Sequence, residues 1–91
     1  MTTNVLWRKI EPERVSATLE EALGKIGASE PEVVLDFSSV SRVDASALAL
    51  LERIAAQAEQ APVKIVLCGV SVDIYKVLKL RKLAPRFSFL K

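Results

Sequence analysis

Two short runs constrain this 91-residue chain more than anything else in it: Val33-Val34-Leu35-Asp36-Phe37 and Val63-Lys64-Ile65-Val66-Leu67-Cys68. Both are nearly continuous in apolar residues and rich in β-branched ones. A strand with one wet face alternates apolar and polar residues, whereas near-continuous runs belong to buried strands and are typical of parallel sheets. Parallel neighbours need crossover connections, usually helices, and the segments between the runs have helical spacing. Val15, Leu19, Ala22, Leu23 and Ile26 make one apolar stripe, introduced by Glu11-Pro12-Glu13 and stopped at Gly27. The segment 45–60 is dense in Ala and Leu, with Ala47, Leu50, Leu51, Ile54 and Ala58 on one face, and Ala61-Pro62 stops it. Ser71 reads as the N-cap of a third helix, with Asp73 in its first turn and Ile74, Val77 and Leu78 turned inward. Residues 5–10 read as a further short strand, and Phe87-Ser88-Phe89-Leu90 as an edge strand closing the chain. The 29–32 stretch, Ser-Glu-Pro-Glu, is a polar break.

The order β-α-β-α-β-α-β specifies a single α/β domain over residues 1–91, with about four mostly parallel strands, three or four helices and right-handed crossovers. An apolar fraction of 51% is enough for one core. The net charge of +2 argues for no particular polyanion. Six bases and no acid fall between Lys76 and Lys91. They read as a solvated helix face, because no motif of a nucleic-acid reader accompanies them. One cysteine, Cys68, excludes an internal disulfide and reads as a buried thiol. With no histidine and one cysteine, no metal site and no cofactor are expected. The chain shows neither a signal-peptide pattern nor an apolar stretch of membrane-spanning length, so a cytoplasmic protein without membrane insertion is expected.

In open α/β sheets, sites collect beyond the carboxyl ends of the strands. The hydroxyl-rich loop 38–44 and the start of the following helix occupy that place. There Asp44 stands two residues before Ser46. The first N–H groups of a helix lack internal partners and carry partial positive charge. A phosphate on Ser46 would meet those donors and would add close to two negative charges without unfolding the helix. Asp44 could orient the hydroxyl or take a metal that arrives with a nucleotide. Plain capping by Asp or Ser is the ordinary alternative.

The stretch from Val33 to Leu48 resembles the signature of STAS domains: a strand of the form Val-Val-Leu-Asp-Phe/Leu-Ser, a variable loop, then Asp-Ser-Ser-Gly-Leu opening a helix. The resemblance extends to about Leu90. In the anti-sigma-factor antagonists of that family the second signature serine is phosphorylated by a partner that is both kinase and anti-sigma factor. That serine matches Ser46, and the signature aspartate matches Asp44. Ala45 stands for the first serine, Ala47 for the glycine, and the residue around Lys82 for a glycine usual near the end of the third helix. These domains also tend to begin with two strands, where this chain has room for one. The resemblance implies a docking surface formed by Ser38, Ser39, Ser41, Asp44, Ala45, Ser46, Ala47 and Leu48, an anti-sigma factor/serine kinase as partner, and a role in transcription regulation. Ser41-Arg42-Val43-Asp44, the Ala-Leu run after it and the stretch 70–80 with Tyr75 are also similar to small STAS subunits of lipid-transport ABC systems, which implies an ABC ATPase as the alternative partner. In that branch a threonine follows the aspartate, where this chain has Ala45.

Catalysis is not expected. The chain has no histidine to act as base, no base for Ser46 and no Gly-Lys-Ser phosphate loop. Nucleic-acid binding has only the basic C-terminal segment in its favour. A protein-docking module is the expected class, with a homodimer conceivable through an open sheet edge.

Overall fold

A computed structural model of the chain describes residues 5–26, 32–61 and 63–90. Its elements are β1 (Val5–Lys9), a 3₁₀ turn at Pro12–Arg14, α1 (Val15–Lys25), β2 (Glu32–Asp36), α2 (Ala45–Gln60), β3 (Lys64–Cys68), α3 (Val72–Leu80), a second 3₁₀ turn at Ala84–Arg86, and β4 (Ser88–Leu90). Gly27, the 29–31 break and Pro62 lie outside the described residues. The strands stand in the order β1-β2-β3-β4 and every pairing is parallel.

Because each strand is laid beside its predecessor in one direction, right-handed crossovers must place all the helices on one face. The packing shows this. Val33, Leu35 and Phe37 from the second strand and its end, with Ile65 and Leu67 from β3, share one core with Leu19 and Ala22 of α1, Leu51 and Ile54 of α2, and Ile74 and Leu78 of α3. On the other face Val34, Val66 and Cys68 form a small separate cluster with no helical member. Trp7, in register with Val34, is 52% exposed there. The two central strands are therefore apolar on both faces, as their sequence implies, although the helices cover only one.

The helix ends differ from the sequence expectation in two places. Pro12 opens a 3₁₀ turn rather than the first α-turn, and α1 proper starts at Val15. The third helix stops at Leu80 because Lys82 adopts a left-handed backbone, φ 60°. The Lys82 N–H donates to the Lys79 carbonyl, and the Leu83 N–H reaches back to the Leu78 carbonyl at 2.8 Å. This is a Schellman closure, with buried Leu83 packed beside buried Leu78. Glycine is the usual occupant of the left-handed position; here it is a lysine.

Candidate functional site

The site is built on the turn between β2 and α2. Phe37 extends the β2 ladder by donating its N–H to the Cys68 carbonyl. Its fully buried ring anchors the loop to the core. The chain then turns on Asp36, whose carboxylate accepts from the Ser38 N–H at 2.9 Å. That backbone bond, with the Ser38 hydroxyl and the nearby Lys9 charge in support, holds the Asp36 carboxyl below the ordinary carboxylate range against a smaller opposing effect of burial. Cys68 lies beside it in register. Burial, with the charge and hydrogen bond of Asp36, pushes the thiol up, so Cys68 is a protonated thiol rather than a nucleophile.

Gly69 fixes the other wall of the turn. It has φ 67°, and a methyl group placed on it would come within 2.8 Å of both Cα and Cβ of Ser38. Two backbones therefore meet here with no room for a side chain between them. The loop is tied once more by Ser71, whose hydroxyl donates to the Ser41 carbonyl at 3.0 Å and accepts from the Ile74 N–H as the cap of α3. The sequence marks Ser71 as a cap. Its second role, clamping the 38–44 loop to α3, joins residues 30 apart and leaves no local signal.

Asp44 caps α2. Its backbone is extended, and its Oδ1 accepts from the Ala47 N–H at 2.9 Å. Its carboxylate is thus engaged with the helix, and among the described residues no hydrogen bond joins it to the Ser46 hydroxyl. Ser46 is the second residue of the helix and is exposed, as are Asp44 and Ala45. Ser38, Ser39 and Ser41 are exposed on the adjoining loop. Ala47 and Leu48 are not: at 1% and 6% exposure they belong to the core. Ala47 lies on the apolar stripe of α2, and Leu48 beside it is taken in because α2 is the middle helix of three and its buried arc is wider than that of a one-sided helix. The expected eight-residue surface thus contracts to Ser38, Ser39, Ser41, Asp44, Ala45 and Ser46, with exposed Ala49 one turn further on. A shallow cleft of about 500 Å³ lies beside Asp44, between Arg42-Val43 and the start of α1. Among the described residues no group of three or more potential metal ligands comes together, and no helix is long and apolar enough to cross a membrane.

The STAS domain model matches residues 13–90. The chain belongs to the STAS domain family. No curated protein matches it. Among solved structures, this STAS domain is similar to the solution structure of the protein TM1081, with TM-score 0.78 and 14% identity over all of this chain and 77% of that one. It is similar to the crystal structure of the same TM1081, described as a putative anti-sigma factor antagonist from Thermotoga maritima, with TM-score 0.72 and 14% identity over all of this chain and 76% of the other. It is also similar to the anti-sigma factor antagonist SpoIIAA in its unphosphorylated form, with TM-score 0.69 and 18% identity over all of this chain and 84% of SpoIIAA. At these identities the likeness is one of fold.

Proposed function

We propose that this STAS domain is a protein-docking switch of the anti-sigma-factor-antagonist kind, which binds an anti-sigma factor/serine kinase and is released from it when Ser46 is phosphorylated. The observation that carries this reading is the placement of Ser46. It is exposed in the first turn of α2, two residues after an aspartate that already caps the helix. The N–H groups of Ala45 and Ser46 precede the first intrahelical donor, the Leu48 N–H that bonds the Asp44 carbonyl, and the positive end of the helix dipole lies there as well. A phosphate there would be tolerated by the fold. It would bring between about −1.5 and −2 charges onto a surface whose other members are three serines, Ala45 and the carboxylate of Asp44. Asp44 acts in this reading by fixing the backbone of the turn, so that the hydroxyl two residues on is presented in one place.

The test uses the protein with its cognate serine kinase and ATP, followed by intact mass measurement and a pull-down. The reading expects the mass of one phosphate on the wild type, none on S46A, and retention of the kinase by the unphosphorylated form alone. An unchanged mass, or a phosphate on another residue, would overturn it. Retention of an ABC ATPase in place of the kinase would assign the domain to the transporter-subunit branch instead.

A further inference from the structure

Seven large apolar side chains are exposed among the described residues; four of them, Val72, Tyr75, Phe89 and Leu90, line one groove, and Leu80 stands beside Lys76 and Lys79 further along α3. Val72 (69%), Tyr75 (41%) and Leu80 (83%) come from α3, and Phe89 and Leu90 from β4. Val72, Tyr75, Lys76 and Lys79 follow the spacing of one helix face, opposite the face that buries Ile74 and Leu78. The Tyr75 and Phe89 rings meet edge to face at 5.2 Å. They floor an apolar groove of about 440 Å³ that runs from Gly69 and Val70 to Leu90.

No charged residue lines the groove itself; the charges of α3 beside it are Lys76 and Lys79, with Lys82 just past the helix end, while Asp73 sits on the side of the helix toward Arg42 and Val43. The arginines of the region are already engaged, Arg81 with Glu52 and Arg86 with Glu59, both on α2. Lys76, Lys79 and Lys82 are exposed, and no carboxylate among the described residues lies within ion-pair range of them. An apolar strip bordered by uncompensated lysines has a defined complement. A second copy of this face would set lysine against lysine, which disfavours self-pairing through it.

We infer that the outer face of α3, with the groove against β4, is a second docking surface, and that its occupant is an acidic amphipathic helix of a partner protein. The partner's apolar stripe would lie over Val72, Tyr75 and Leu80. Its carboxylates would pair with Lys76, Lys79 and Lys82. This surface is independent of Ser46, although the Ser71 hydroxyl bond to Ser41 makes the two adjoin.

The experiment titrates the ¹⁵N-labelled domain with a synthetic helix carrying leucines along one face and glutamates beside them. A leucine/lysine helix of the same pattern and phosphatidylglycerol vesicles serve as the other probes. The acidic helix is expected to shift the amides of Val72, Tyr75, Lys76, Lys79, Leu80, Phe89 and Leu90, with an affinity that falls as salt is raised. K76E/K79E is expected to weaken it about tenfold or more, given two reversed exposed charge pairs. L80S is expected to weaken it without lowering the melting temperature, because Leu80 supports no core contact. S46A is expected to leave it unchanged, so that failure here and failure of the Ser46 reading are separate results. Equal response to both helices, shifts confined to other residues, or stronger engagement of the vesicles would overturn the inference.

Discussion

The same substitution at two glycines is expected to have opposite signs. Gly69 has a left-handed backbone, φ 67°, and an added Cβ would stand 2.8 Å from two carbons of Ser38 and 2.9 Å from its backbone nitrogen. Carbon atoms at rest sit about 3.5–4.0 Å apart, and the obstruction is largely backbone, so no rotamer change relieves it. Alanine in the left-handed region costs roughly 1–2 kcal/mol, and forcing a methyl group into a filled site about 1–3 kcal/mol. G69A should therefore lose about 2–5 kcal/mol. At about 4–8 °C per kcal/mol for a domain of this size, its melting temperature should fall by roughly 8–40 °C. Gly24, in the last turns of α1, has nothing within 4 Å of its added Cβ. There alanine removes only the flexibility of glycine in a helix, and G24A should gain about 0.5–1 kcal/mol. Urea unfolding followed by circular dichroism measures both, with an unchanged m-value as the check that the denatured state is the same. If G69A costs less than 1 kcal/mol, or if G24A destabilises comparably, the close approach of Gly69 to Ser38 is not what shapes the turn. In the G69A variant, amide shifts should also concentrate at Ser38, Ser39 and Val40, because the turn must move to make room.

Three further outcomes follow from the same geometry. K82G should stabilise the domain by about 1 kcal/mol, read as a rise of several degrees in melting temperature, because glycine adopts the φ 60° of that position freely. D44A should cost about 1 kcal/mol through loss of the Ala47 N–H acceptor, whereas D44N, an equally good cap, should remain near wild type in thermal unfolding. Asp36 is held below its ordinary range, so its contribution is complete above the unfolded carboxylate value of about 3.9 and is lost as pH falls through the lower folded value. Wild type and D36N should therefore differ in stability at neutral pH and converge on acidification, as measured by urea titration at a series of pH values.

Much of this molecule is legible in its sequence, because the strongest signals are local. The bounds of α2 follow from the Ala-Leu run and its Asp44 cap, and the central strands from runs too apolar to be half-wet. What escapes is decided between segments. The burial of Leu48, off the stripe of Ala47, Leu50, Leu51, Ile54 and Ala58, depends on α2 having a helix on either side, which periodicity within one helix does not express. The stop at Leu80 depends on a lysine taking a conformation that sequence rules reserve for glycine. The bond from Ser71 to Ser41 and the fit of Gly69 against Ser38 join segments some 30 residues apart. The place of Ser46 in the first turn of α2 is legible because a helix start is a local feature. The basic strip of α3 was visible as composition, but its apolar neighbours Phe89 and Leu90 come from another element.

The one-directional strand order has a bearing on how the chain comes into being. Each β-α unit leans chiefly on the unit made just before it: β2 on β1, β3 on β2, β4 on β3, and α2 on α1. No early segment has to wait for a distant late one to find its sheet neighbour. Loop-closure costs stay small at each step, and the domain can be assembled in the order in which a ribosome releases it, with β4 as the closing piece.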